Sequence, residues 1–157
     1  MRQTALLFRE PTMEQHTVVF DSAHMIIEAG VETSMVTRKQ ILAYVLKQYG
    51  IAPDFPWDSA AHAVLRHKAN RKWFGVIMEI TEGDLGLNSH KVVDVINLKC
   101  DAVMIGGLRK EPGIYPAYHM NKNHWVSVLL NSPIPKEKVF ALIAMSYDLT
   151  KPRKCRF

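Results

Sequence analysis

From Thr37 onward the apolar positions follow two rhythms. Ile41, Leu42, Val45, Leu46 and Tyr49 fall on one stripe at helical spacing, which predicts an amphipathic helix. Thr37-Arg38-Lys39-Gln40 fits a capping box, in which the Thr hydroxyl and the Gln amide reciprocally satisfy free backbone N–H groups. Gly50 ends the helix, and Pro53 and Pro56 keep the next stretch extended. The rhythm then changes. Residues 62–68 and 73–80 read as a hairpin around Ala69–Lys72. In its second strand Phe74, Val76, Met78 and Ile80 are expected to share one face and Trp73, Gly75 and Ile77 the other. Both faces are apolar, which suits an interior strand. Residues 91–98 form a third strand, after a loop marked by Gly83, Gly86 and Asn88.

Asp101 can cap a helix through about Lys110, with Pro112-Gly113 as its stop. Two further strands fit at 114–119 and 124–130 around the Met120–Asn123 turn. Val126, Val128 and Leu130 share one face of the last strand and are expected to meet the helices, which puts Trp125 on the opposite face. Ser132-Pro133-Ile134-Pro135 opens a final helix, since proline is tolerated in a first turn, and Val139, Leu142, Ile143 and Tyr147 form its buried stripe. Short links favour antiparallel pairing. The fold class predicted is α+β: two layers, an antiparallel sheet with helices on one face, in the order helix, three strands, helix, two strands, helix.

The first 35 residues read differently. Thr17–Phe20 suits a short strand and Ser22–Ala29 a short helix stopped by Gly30, too little to fold alone. They are expected to be an N-terminal extension of unknown role, either an arm on the body, a partner-binding segment or a remnant of a longer domain. Residues 36–151 form the main domain and 152–157 a basic tail. Of 157 residues, 48% are hydrophobic, enough for one domain with a core. No apolar run nears the ~18 residues of a membrane span, and no signal-peptide pattern opens the chain, so a cytoplasmic protein is expected. Residues 1–36 hold 2 basic and 5 acidic side chains, a net of −3; the remainder holds 18 and 10, a net of +8. A basic body attracts polyanions. Cys100 and Cys155 have no metal-type spacing and read as reduced thiols.

Five stretches together resemble the MmcQ/YjbR family: Pro56-Trp57, "AVLRHKANRKWFG" from Ala63 to Gly75, "NLKCD" from Asn97 to Asp101, "PGIYPAYHMNKNHW" from Pro112 to Trp125, and "SYDL" from Ser146 to Leu149. The resemblance covers about residues 36–151. It implies a fold related to CyaY-like and secretion-chaperone-like folds, and DNA binding without catalysis. For relatives in antibiotic-producing gene clusters it implies drug protection. The kinship with secretion chaperones makes a homodimer or a protein-interaction adaptor a further reading.

The residues supply candidates of their own. Arg66, Lys68, Arg71 and Lys72 crowd the hairpin turn beside Trp73. Cations there can meet successive phosphates and release counterions, and Trp73 can stack on an unpaired base. Tyr118, Lys122 and Trp125 extend this set on the open sheet face, and Lys99 flanks the middle helix. These nine residues are the candidate nucleic-acid site, with DNA as the expected partner. The aromatic set Trp57, Trp73, Tyr118 and Trp125 equally suits a small planar aromatic ligand. His119 and His124 stand five apart without an intervening Cys, Asp or Glu, which does not fit a helical zinc pair. No nucleophile turn, phosphate-binding loop or dinucleotide fingerprint is present. No catalytic residue, metal or cofactor is expected.

Overall fold

A computed structural model describes residues 35–154. The elements expected at Thr17–Phe20 and Ser22–Ala29, and Cys155 in the tail, lie outside the described residues. The described residues fall within one compact unit, Thr33–Phe157. They contain α1 (Arg38–Tyr49), β1 (Ala63–Arg66), β2 (Trp73–Thr81), β3 (Val92–Lys99), α2 (Ala102–Leu108), β4 (Ile114–Pro116), β5 (Trp125–Leu129) and α3 (Lys136–Thr150). The five strands form one antiparallel sheet in the order β1-β2-β3-β5-β4, and the fold is α+β as the pattern predicts. Among the described residues no helix is long and apolar enough to cross a membrane.

The helix ends follow from local chemistry. The Thr37–Gln40 capping box forms, and Gly50 closes α1 in the left-handed conformation (φ 63°), where a Cβ would be strained. Asp101 caps α2 through Val103 N–H. The last helix starts later than its prolines suggest: Pro135 is the cap and Lys136 the first helical residue. Ser132 Oγ instead donates to Leu129 C=O, securing the turn after β5.

One sheet face carries the core. Ala63 and Leu65 of β1, Ile77 of β2, Ile96 and Leu98 of β3, and Val126 and Val128 of β5 pack against Ile41 and Val45 of α1 and Val139, Leu142 and Ile143 of α3. Alternation across β2 fails at its first residues. Leu65 pairs with Gly75 but Arg66 pairs with Trp73, so the ladder slips there and Phe74 is the extra residue. This β-bulge corrects the expected faces. Phe74 joins the Ile77 side, where it meets Tyr49, His67 and Tyr147. Trp73 turns toward Arg66 and Trp57. Gly75 is required beneath Leu65, because a Cβ there would lie 2.9 Å from Leu65 Cδ1.

Buried polar groups clamp the layers together. Ser146 Oγ of α3 donates to Phe74 C=O and accepts from Lys99 N–H at 2.9 Å, joining one helix to two strands. His67 Nε2 donates to Tyr147 C=O at 3.0 Å and Thr150 Oγ1 at 2.9 Å, holding the end of α3 to the hairpin. Burial pushes the His67 pKa below the ordinary histidine value.

Candidate functional site

The second sheet face carries two distinct surfaces. The first lies at one end of the sheet. β1 ends at Arg66, β2 begins at Trp73, β3 ends at Lys99 and β5 begins at Trp125, so antiparallel order brings all four to the same end. Arg66 opposes Trp73, and Lys99 opposes Trp125. In strand order these residues make a row that alternates cation and aromatic ring, with neighbouring strands about 4.8 Å apart; Arg66–Trp73 and Lys99–Trp125 are direct partners, and the β2–β3 ladder between them reaches only to Gly75–Leu98. All four are half-buried. The hairpin turn after β1 belongs to the same end. It is closed by His67 N–H to Lys72 C=O at 2.9 Å and by Lys72 N–H to Asn70 Oδ1 at 3.0 Å.

Not every cation in this region is free. Asp54 is bridged to Val64 beside β1, and its Oδ2 lies 2.9 Å from Arg66 Nε and 3.3 Å from Arg71 Nη2. The Arg66 guanidinium also sits over the Trp73 ring, 5.2 Å from its centroid. Lys68 is exposed, with its ammonium near Gly50 at the C-terminal end of α1, where positive charge suits the helix dipole. Lys72 is exposed and has no carboxylate partner among the described residues. Among the described residues no group of three His, Cys, Asp or Glu side chains could hold a metal ion.

The second surface is a groove of about 630 Å³. Met78, Ile80 and Thr81 of β2 line it, with Trp57 and His62 from the approach to β1 and Tyr118 and His119 from the segment after β4. Strand pairing at 114–119 is shorter than the pattern suggests, because buried side chains hold the chain after Pro116 elsewhere. Asn97 Nδ2 donates to Tyr118 C=O at 2.7 Å, Tyr118 N–H donates to Ser127 Oγ at 2.9 Å, and Ser127 Oγ donates to Asn97 Oδ1. Asn97 and Ser127 are fully buried on β3 and β5. His119 then adopts a left-handed conformation (φ 53°), which turns the chain at the groove. Asp84 stands in the lining of this groove and of a neighbouring recess shared with Tyr118, His119 and Lys122. Its Oδ2 accepts from Thr81 N–H at 2.9 Å and Thr81 Oγ at 2.8 Å. Those two bonds hold its carboxyl below the usual aspartate pKa.

The structure therefore divides the nine candidates. Arg66, Trp73, Lys99 and Trp125 form the row, and Lys68, Arg71 and Lys72 flank it on the turn, whereas Tyr118 and Lys122 line the recesses on the open face. Of the aromatic set proposed for a planar ligand, Trp57 and Tyr118 line the groove; Trp73 touches Trp57 edge-to-face at 6.0 Å. Sequence reasoning missed Asp54, His62, Met78, Ile80 and Asp84. Only Asp84 had a local signal, as the acid three residues after Thr81.

The sequence profile of the YjbR family matches residues 46–149. The chain belongs to the YjbR family. A curated YjbR-like relative, the Bacillus subtilis protein YyaQ, is 42% identical over 118 residues, covering 74% of this chain and all of its own. A crystal structure of a Pseudomonas syringae protein superposes with a TM-score of 0.72 at 46% identity, covering 74% of this chain and 100% of its own. A Deinococcus radiodurans protein shares the fold at 23% identity, with a TM-score of 0.58 over 78% of this chain and 83% of its own. The family match spans β1 to most of α3, and so includes both surfaces of this YjbR-family chain.

Proposed function

We propose that the protein binds single-stranded DNA at the row Arg66–Trp73–Lys99–Trp125 and performs no chemistry of its own. The alternation of cation and ring across four strand ends carries this reading. Unpaired bases stack on aromatic faces while neighbouring cations meet the phosphates between them, and neither contact reads a base edge. Lys72 and Arg71 on the adjoining turn extend the positive surface. Asp54 competes with phosphate for Arg66 and Arg71, which leaves Lys72 and Lys99 to supply most of the attraction.

Among the described residues, Cys100, Thr150, Ser127 and Ser146 are buried groups withdrawn from reaction with a ligand. Burial pushes the Cys100 thiol up to about 11, far from a reactive thiolate. The His67–Thr150 pair is sealed in the core, and the hydroxyls of Ser127 and Ser146 are committed to internal hydrogen bonds.

Titrating labelled single-stranded and duplex oligonucleotides at several salt concentrations tests the reading. Tighter binding to single strands is expected, weakening steeply with salt. Trp125→Ala removes one stacking platform and is expected to cost ~1–3 kcal/mol. Lys72→Glu with Arg71→Glu lowers the salt slope. Absence of binding to any oligonucleotide at low salt overturns the proposal.

A second prediction isolates the competing acid. Asp54→Asn releases both arginines, so tighter DNA binding with a steeper salt dependence is expected. Filter-binding measurements at matched salt check this; a weaker complex would assign Asp54 a purely structural role.

A further inference from the structure

The groove behaves differently from the rest of the body. The chain after residue 36 carries a net of +8, with 18 basic and 10 acidic side chains, yet among the described residues the groove lining includes Glu79 and Asp84 and not one lysine or arginine. Its apolar floor of Met78 and Ile80 and its rings from Trp57 and Tyr118 would hold a flat hydrocarbon surface. A polyanion is disfavoured there by the two carboxylates. Asp84 Oδ2 is occupied by Thr81, so the turn itself fixes where the charge stands.

We propose that the groove is a second binding site, selective for a small aromatic molecule that carries a protonated amine. The ring lies against Met78, Ile80, Trp57 and Tyr118. The ammonium meets Asp84 and the negative faces of the aromatic walls, which attract cations through the ring quadrupole. Asp84 thus sets the charge selected and the rings set the shape. His62 and His119 also face the groove and, like Asp84, belong to its polar margin. A neutral or anionic ligand of the same outline gains the stacking without the charge contact.

Three probes that share one ring decide the matter: naphthylmethylamine, naphthylmethanol and naphthoate, titrated calorimetrically into the full chain at neutral pH without nucleic acid. The amine is expected to bind roughly tenfold more tightly than the alcohol, and the alcohol more tightly than the carboxylate. Asp84→Asn keeps an acceptor for Thr81, and with it the turn, while removing the charge. It is expected to abolish the preference for the amine and leave the alcohol unchanged. Equal binding of amine and alcohol, strongest binding of naphthoate, or no binding by any probe overturns the proposal. An Asp84→Asn variant that keeps the amine preference does so as well. None of these results touches the DNA reading, which rests on other residues and is measured with other ligands.

Discussion

Ser146→Ala is expected to destabilise the fold by about 2–4 kcal/mol, although it removes a single oxygen atom. That oxygen donates to Phe74 C=O and accepts from Lys99 N–H, and Ser146 has no exposed surface. Deleting it leaves a buried carbonyl and a buried amide unpaired, each costing about 1–3 kcal/mol when water cannot reach them. The two strands concerned meet α3 at this point, so both lose a polar tie to the helix and keep only their apolar packing against it. Urea denaturation should show a lower midpoint with an unchanged slope. Asp148→Ala, two residues away, provides the contrast. Asp148 is exposed and, among the described residues, pairs only with Lys151 one helical turn on, so a change within about 0.5 kcal/mol is expected. Comparable losses from both substitutions would contradict this account of the helix–sheet junction.

Asn97→Leu is the second substitution with a large expected effect. The shapes are similar, but leucine can neither donate to Tyr118 C=O nor accept from Ser127 Oγ. A loss of about 2–3 kcal/mol is expected. The damage should spread to the groove, because Asn97 and Ser127 together hold the chain that carries Tyr118 and His119. Hydrogen exchange offers a direct readout: the Tyr118 amide, bonded to Ser127 Oγ, should exchange much faster in the variant. Combining Asn97→Leu with Ser127→Ala should cost clearly less than the two single losses added, since each single change already breaks the shared network. Strict additivity would mean that the three groups act independently.

Much of this architecture was legible in the sequence. The capping box at Thr37 and Gln40, the Asp101 cap and the core face of Val126, Val128 and Leu130 all depend on neighbours a few residues apart, and periodicity reports such neighbours directly. The bulge at Phe74 was hidden because alternation presumes an unbroken ladder, and Trp73 and Phe74 are both aromatic. No local pattern announces that one residue is left over. The candidate site was half legible for a related reason. Clustered cations at 66–72 stand out by composition, but the pairing of Arg66 and Arg71 with Asp54 depends on how the chain returns alongside β1. Lys99 and Trp125 become neighbours only through strand order. The groove was the least visible feature, since its lining comes from separate stretches between residues 57 and 119.

The chain has three tryptophans, Trp57, Trp73 and Trp125. One stands in the groove and two stand in the row, and Trp57 and Trp73 touch each other. Intrinsic fluorescence therefore originates at the two surfaces of interest rather than in the core. Quenching or a spectral shift on adding a ligand reports occupancy without any label, and three single-tryptophan variants would resolve which surface gave the signal.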